Sequence, residues 1–193
     1  MPTDDQPALE QAIREKEESL SRLRGEMNDL RRRWAALSAP VANYTLLGAA
    51  GPVTLSELFG DKDDLIVVHN MGQGCAYCTL WADGFASVLP HLERRTAFVV
   101  SSPDDPATQR AFAGSRGWPF RMVSTQGSSF AHDMGYYVEG EGYWPGVSAF
   151  RRRADGSMVR VARDFFGPGD VYNNVWHFFD LLADGSNGWQ PRI

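Results

Sequence analysis

The pattern of apolar and polar residues changes near Pro40. Before it, residues 7–38 are rich in Glu, Arg, Leu and Ala, a composition typical of one long helix. Apolar residues recur there at the a and d positions of a heptad, with one polar interruption at Lys16. These apolar positions are Leu9, Ile13, Leu20, Leu23, Met27, Leu30, Trp34 and Leu37. We therefore predict a helical arm over residues 1–39 and a globular domain over residues 40–193.

A helix of about 30 residues is about 45 Å long, which exceeds one face of a small domain. Two arrangements would bury its apolar seam. The arm either pairs with a second copy of the chain, giving a coiled-coil homodimer through residues 9–37, or folds back on its own domain. A sustained heptad favours the dimer, but the sequence leaves both arrangements open.

After Pro40 the chain alternates between short apolar runs and helical segments. The runs 65–70 and 96–101 are short and β-branched, which predicts two buried strands. A helix is expected from about Cys75 to Leu92, between these strands, and another from Pro106 to Arg116. Buried strands that alternate with helices predict a parallel βαβ unit with a right-handed crossover.

The last third of the chain adds a different pattern. The runs 147–152 and 157–162 predict a β-hairpin around the turn Ala154-Asp155-Gly156. A final helix is expected over residues 169–182, with an apolar face. The elements together predict an α/β fold in which the hairpin adds antiparallel strands to one side of the parallel sheet.

Composition narrows the function classes. The 193 residues are 43% hydrophobic, enough for a real core, and the formal net charge is −5. An acidic chain lacks the basic field that nucleic acids and anionic membrane surfaces attract. No run of apolar residues is long enough to span a membrane, and the acidic start has no signal-peptide core. We expect a cytoplasmic protein that binds neither nucleic acid nor membrane.

The strongest chemical signal is the pair Cys75 and Cys78, which follows a predicted buried strand and opens a predicted helix. The positive end of the helix dipole favours a thiolate, so Cys75 is the expected nucleophile. Cys78 lies one turn later on the same face, where it can resolve a mixed disulfide. A CxxC motif beside a βαβ pattern predicts a thioredoxin-like redox site.

Other uses of two cysteines fit less well. Haem attachment needs a histidine after the second cysteine, and Thr79 stands there. A zinc site needs about four ligands, and the chain's histidines are scattered. Inert, half-buried thiols are the remaining alternative. We favour a redox-active dithiol that requires no metal or organic cofactor.

Several blocks of the chain resemble the DUF899 family, thioredoxin-like proteins of bacteria. They are 74–84, which contains the CxxC, together with 117–120, 124–130 and 145–150. The resemblance covers nearly the whole chain. It implies a thioredoxin fold and a dithiol–disulfide oxidoreductase that exchanges with a protein or small-molecule disulfide or thiol and with an electron-donor thiol system.

The chain departs from the wider thioredoxin pattern around the motif. Thioredoxins usually carry Trp before the first cysteine and Gly-Pro between the two, where this chain has Gly74 and Ala76-Tyr77. Because no charged residue lies between the cysteines, activation of Cys75 would depend mainly on the helix terminus. The Pro and Thr that peroxiredoxins carry upstream of their peroxidatic cysteine are missing, which argues against that chemistry.

Thioredoxin-like proteins also keep a cis-proline just before the strand that faces the motif. Pro145 is the candidate, since the Trp144-Pro145 bond can adopt the cis form and a strand follows. Aligning Phe150 with the usual strand aromatic places Val147 there instead, so the sequence leaves the assignment open. Pro145 and Trp144, with Tyr77 inside the motif, are the expected substrate contacts.

Two further residues and one alternative function complete the predictions. His69 ends the strand before the motif and is either a proton carrier or, more commonly, a hydrogen-bonded core residue. Asp83 lies off the face of Cys78 and is expected to be a surface or structural residue. The alternative to an enzyme is a redox-sensing or protein-binding module, in which oxidation of Cys75 and Cys78 signals through the helical arm.

Overall fold

The computed structural model describes residues 5–193. Residues 1–4, which belong to the predicted arm, lie outside the described residues. The chain forms two compact units, one up to Ser38 and one from Ala39 to Ile193. In the first unit, helix α1 spans Gln6–Ala36, and none of its residues is buried.

The second unit is built on a seven-stranded sheet with the strand order β2-β1-β5-β4-β3-β8-β9. Its strands are β1 (Thr45–Gly48), β2 (Gly51–Thr54), β3 (Asp64–His69), β4 (Ala97–Ser102), β5 (Arg121–Ser124), β8 (Gly146–Arg152) and β9 (Met158–Phe165). A separate two-stranded sheet pairs β6 (Tyr137–Val138) with β7 (Gly142–Tyr143). The helices of this unit are α2 (Leu55–Leu58), α3 (Ala76–Leu92), α4 (Pro106–Arg116), α5 (Phe130–Asp133) and α6 (Val175–Phe179).

The predicted βαβ unit forms the centre of the sheet. Strands β3 and β4 are parallel, with Val67 beside Val99, and β5 extends the parallel part next to β4. The predicted hairpin is β8–β9, and β8 pairs antiparallel with β3. These predictions are confirmed. The sequence analysis missed β2 and β5, which are four residues long and carry little apolar signal.

Two hydrophobic clusters cover the two faces of the sheet. Alternation along β3 assigns Leu65 and Val67 to one cluster, which includes α2 and α5, and Ile66 and Val68 to the other, which includes α3. The second cluster is rich in aromatic rings from α3, α4 and the C-terminal segment. The start of α3 therefore lies over one face of the central strands.

The prediction of a final helix over residues 169–182 is wrong in its extent, because only Val175–Phe179 is helical. The side chain of Asp170 accepts the backbone N–H groups of Gly167 and Tyr172, and Asn173 accepts that of Val175. Short polar side chains that capture nearby backbone N–H groups compete with helix formation. The segment before α6 is consequently a series of turns.

Candidate functional site

The cysteine motif is carried by a loop that is fixed from two sides. The side chain of Asn70, at the end of β3, accepts the backbone N–H of Gly72 at 2.8 Å. Asp104, in the loop after β4, accepts the backbone N–H of Gln73 at 2.9 Å. Gly72 has φ +110°, and a Cβ there would press on the Asp104 carboxylate. These contacts set the direction in which the chain enters α3.

Cys75 is the N-cap of α3. Its backbone is extended, and its Sγ accepts the backbone N–H of Cys78 at 3.1 Å. This N–H is one of the first in the helix and has no partner within the helix. The cysteine thus occupies the position where Ser, Thr or Asp usually caps a helix, with sulfur as the acceptor.

The two thiols have opposite electrostatic environments. Hydrogen bonds from the Cys78 side chain and from the backbone N–H groups of the first turn lower the pKa of Cys75 from 9 to about 7. The pKa of Cys78 is raised, because its thiol bonds to Cys75 and is buried, with 3% of its surface exposed. Cys78 Sγ also lies 3.4 Å from the Met71 backbone N–H. Cys75 is therefore the stronger nucleophile of the pair at neutral pH.

A groove of about 500 Å³ opens beside Cys75. Three predicted substrate contacts, Tyr77, Trp144 and Pro145, line it together with Cys75. The other lining residues are Met71, Trp81, Glu141, Tyr143, Phe166, Gly167 and Pro168. Glu141 is the one charged residue in this lining, so the groove is aromatic and apolar with a single negative charge. Cys78 is buried, does not line the groove and lies within one turn of Cys75.

The Trp144-Pro145 bond, whose form the sequence left open, is trans. The Trp144 backbone N–H donates to Tyr136 O at 2.9 Å, and Pro145 O accepts the Phe166 backbone N–H at 3.0 Å. Backbone hydrogen bonds therefore hold both Trp144 and Pro145 where the chain enters β8. Pro145 nevertheless directly precedes β8, where the prediction placed it, whereas Val147 lies inside the strand and outside the groove lining.

His69 points to the opposite face of the sheet from α3. It is 3% exposed, its Nε2 lies 3.0 Å from Ser148 Oγ, and its ring stacks on that of Tyr136 with centroids 3.8 Å apart. Burial, with a smaller contribution from Arg160, lowers the pKa of His69 to about 3. The structure supports the core interpretation of His69, since the ring packs away from the cysteines.

Asp83 links α3 to the end of α4. Its carboxylate accepts hydrogen bonds from the Arg116 guanidinium and, at 2.8 Å, from Trp118 Nε1. The prediction of a structural role for Asp83 is confirmed.

The sequence analysis missed three residues that shape the site. Asn70 and Asp104 hold the motif loop, and Gly146 allows close packing behind Pro145. A Cβ on Gly146 would collide with Asp164 O and with the Tyr136 ring. An Asn whose side chain can accept a backbone N–H two residues later is a weak local signal of such a loop, whereas the contacts of Asp104 and Gly146 are made only by the fold.

A second cavity, of about 750 Å³, lies between the β1–β2 hairpin and α4, and neither cysteine lines it. In the part of the chain that the structure describes, no three His, Cys, Asp or Glu side chains are grouped as a metal site. No helix among residues 5–193 has the length and apolar character to cross a membrane.

The family comparison agrees with the resemblance seen in the sequence. The model of the family "Bacterial protein of unknown function (DUF899)" matches residues 6–191. The chain belongs to the DUF899 family. No protein of curated function matches it.

Solved structures of peroxiredoxins are similar to this chain. Peroxidoxin BcpB from Mycobacterium tuberculosis is 23% identical with a TM-score of 0.51, over 63% of this chain and 80% of that one. Xanthomonas campestris peroxiredoxin Q is 17% identical, with a TM-score of 0.53 over 63% of this chain and 78% of that one. A yeast mitochondrial 1-Cys peroxiredoxin is 13% identical, with a TM-score of 0.55 over 80% and 82%. At these identities the likeness shows the fold, which confirms the predicted thioredoxin-like architecture.

Proposed function

We propose that this protein is a dithiol–disulfide oxidoreductase in which Cys75 attacks and Cys78 resolves. The observation that carries the proposal is the asymmetry of the pair. Cys75 caps α3, has a pKa of about 7 and lines an open groove, while Cys78 is buried one turn later with a raised pKa. An exposed low-pKa thiolate beside a protonated partner is the arrangement that thiol–disulfide exchange uses.

The exchange proceeds in two balanced steps. The Cys75 thiolate attacks one sulfur of the substrate disulfide, a mixed disulfide forms, and the other substrate sulfur leaves as a thiolate that takes a proton from water. Cys78 then loses its proton and attacks the Cys75 sulfur, which releases the second substrate thiol and leaves a Cys75–Cys78 disulfide. The negative charge on Cys75, one cause of the raised pKa of Cys78, is gone in the mixed disulfide, so Cys78 ionises more readily at that step.

The groove indicates which disulfides are substrates. Its aromatic and apolar lining suits an apolar group beside the reacting sulfur, and Glu141 disfavours anionic substrates. We propose Tyr77, Trp144 and Pro145 as the substrate contacts. The electron donor is a thiol reductant, and we place the reaction in the cytoplasm.

The reduction potential of the Cys75–Cys78 pair is the first test. The protein is equilibrated in glutathione or dithiothreitol buffers of set potential, and free thiols are trapped and counted. The expected result is one two-electron transition in the range of about −120 to −270 mV covered by known exchange proteins. If no Cys75–Cys78 disulfide forms at any potential, the proposal fails.

Peroxide reduction is a second candidate, favoured by the likeness of the fold to that of peroxiredoxins. In it the Cys75 thiolate attacks a peroxide oxygen, giving a sulfenic acid and an alcohol or water, and Cys78 condenses with the sulfenic acid to form the disulfide and water. The missing Pro and Thr before Cys75 argue against it. Turnover with a model disulfide and with hydrogen peroxide, under one reductant, separates the two functions.

A redox-sensing module is the third candidate, and one contact favours it. In the reduced protein Cys78 Sγ accepts the Met71 backbone N–H. Formation of the disulfide moves this sulfur toward Cys75, so oxidation alters the loop that lines the groove. A sensor would show an oxidation-linked change of assembly without turnover of either substrate.

A further inference from the structure

The apolar seam of α1 is exposed along its whole length. Its side chains range from 42% exposed for Trp34 to 84% for Leu37, which follows the helix. The helix has 31 residues and buries none of them. So many large apolar side chains on one stripe mark an interaction surface rather than a solvated face.

The charges beside this seam are divided along the helix. With Ile13 and Leu20 at a positions, the e positions are occupied by acidic residues in the first half of α1 and by basic residues in the second. These e positions are Glu10, Glu17, Arg24 and Arg31. A charge pattern that changes sign at the middle of a helix is complementary to itself when reversed.

We propose that α1 binds the α1 helix of a second copy of the chain in antiparallel orientation. In the register that places Leu20 opposite Leu23, Glu10 of one copy faces Arg31 of the other and Glu17 faces Arg24. The twofold axis repeats both pairs, so every e position meets an opposite charge. Charges at e and g positions select the partner and orientation of a coiled coil.

The parallel alternative is less complementary. In a parallel pair each core residue faces its own copy, which brings the two Lys16 ammonium groups together at a d position. The e residues then face g positions: Arg31 meets Glu26 of the other copy, but Glu17 meets Ala12, Arg24 meets Ser19, and Glu10 meets the like charge of Asp5. The antiparallel register instead places Lys16 opposite Met27, where the lysine stem packs and its ammonium reaches water.

Turning Glu10 toward a second copy costs little. Glu10 contacts Arg14 of its own helix at 3.4 Å, with both side chains well exposed. Exposed ion pairs of this kind contribute little to stability, so Glu10 is free to turn toward a second copy. The apolar seam supplies the affinity, and the e charges set the orientation.

Cross-linking tests the orientation directly. Cys75→Ala and Cys78→Ala remove both native cysteines from the full chain, and Leu9→Cys or Trp34→Cys is then introduced. Neither single-cysteine protein should form a disulfide-linked dimer alone, whereas an equimolar mixture should, because position 9 faces position 34 of the other copy. Self-linking of the Leu9→Cys protein, which a parallel pair requires, would overturn the proposal.

A charge reversal tests it with both native cysteines present. Glu10→Arg with Glu17→Arg turns every e pair repulsive and should raise the dimer dissociation constant about 100-fold in sedimentation equilibrium. Adding Arg24→Glu and Arg31→Glu should restore the original constant to within about threefold. Glu15→Arg with Glu18→Arg is the matched control, since it makes the same charge change at positions away from the seam.

Circular dichroism of each variant checks that the helix is retained. The proposal fails if the unaltered chain is monomeric at about 100 μM, or if the fourfold reversal does not recover dimerisation lost in the double variant.

Discussion

On the two faces of the central sheet, the pKa of a titratable side chain is lowered for two different physical reasons. Strand β3 ends at His69, and Cys75 follows six residues later. On one face His69 is buried against Tyr136, and its pKa is lowered to about 3. On the other, Cys75 is half-buried at a helix start, and its pKa is lowered to about 7.

The difference shows what makes a group reactive in this fold. Both shifts are downward, but burial causes that of His69 by penalising the imidazolium, whereas hydrogen bonds cause that of Cys75 by stabilising the thiolate. Burial leaves His69 neutral and enclosed. Cys75 is only partly buried, so its thiolate is stable at neutral pH and is accessible from the groove. Proximity to the motif in the sequence therefore does not assign a role in its chemistry.

Replacing the cysteines is the strongest test of the reactive face. Cys75→Ser should lower disulfide exchange by about three orders of magnitude or more, since it removes the proposed nucleophile. Cys78→Ser should instead accumulate a mixed disulfide on Cys75, visible by mass spectrometry as the mass of one substrate half. Equal loss of activity without that adduct in Cys78→Ser would contradict the assigned roles.

The buried face should respond to added volume. Gly146→Ala places a methyl group against Asp164 O and the Tyr136 ring, and we expect a loss of about 3 kcal/mol in the free energy of unfolding. Gly74→Ala is the control, because no atom lies within 4 Å of its added Cβ. Denaturant titrations of both variants check the prediction. Equal stabilities would contradict it and would show that Asp164 and Tyr136 can move to make room for the added methyl group.

His69 should make stability depend on pH. Its pKa is about 3 in the folded protein and near 6.5 in the unfolded chain. Between these values the unfolded state binds more protons, so the stabilisation present above pH 6.5 is lost as the pH falls toward 3. From pH 7 to pH 5 this group alone should remove about 2 kcal/mol.

The matched variant is His69→Gln, which does not titrate and can still bond Ser148. Its free energy of unfolding should fall less than that of the unaltered chain between these pH values. Parallel pH curves for the two proteins would mean that the histidine is not held neutral in the core.

The pKa of Cys75 separates the contribution of its partner from that of the helix. The Cys78 side chain is the largest cause of the lowered pKa, so Cys78→Ala should raise the pKa of Cys75 from about 7 toward the ordinary value of 9. Cys78→Ser keeps a hydroxyl donor and should raise it less. The pH dependence of alkylation of Cys75 measures both, and no change in either variant would assign the shift to the backbone alone.

The smallest expected effect concerns the charge of the groove. Glu141→Gln should reduce by about threefold the preference for cationic cystamine over anionic oxidised glutathione, measured as a ratio of exchange rates at low salt. Glu139→Gln is the control, since this carboxylate does not line the groove. The role of Glu141 is disproved if both variants shift the ratio equally.

The sequence by itself determined the elements whose signals are local. The β-branched runs of β3 and β4, the helix α4 from Pro106 to Arg116 and the long helix α1 depend on patterns among neighbouring residues, so these elements could be predicted. The placement of Cys75 at a helix start also follows from a strand, a glycine-containing loop and a helix in order. Hydrophobic periodicity and helix-start signals act within a few residues, which is why the strands and helices themselves could be predicted.

The tertiary structure decided what depends on distant segments. It joined Tyr77 and Pro145 in one groove, turned His69 to the opposite face, and replaced most of the predicted final helix by turns around Asp170. It also used Asp104, far along the chain from the motif, to hold the motif loop. Such contacts depend on strand order and on competition for backbone N–H groups. Neither produces a periodic pattern of apolar residues, so neither could be predicted from the sequence.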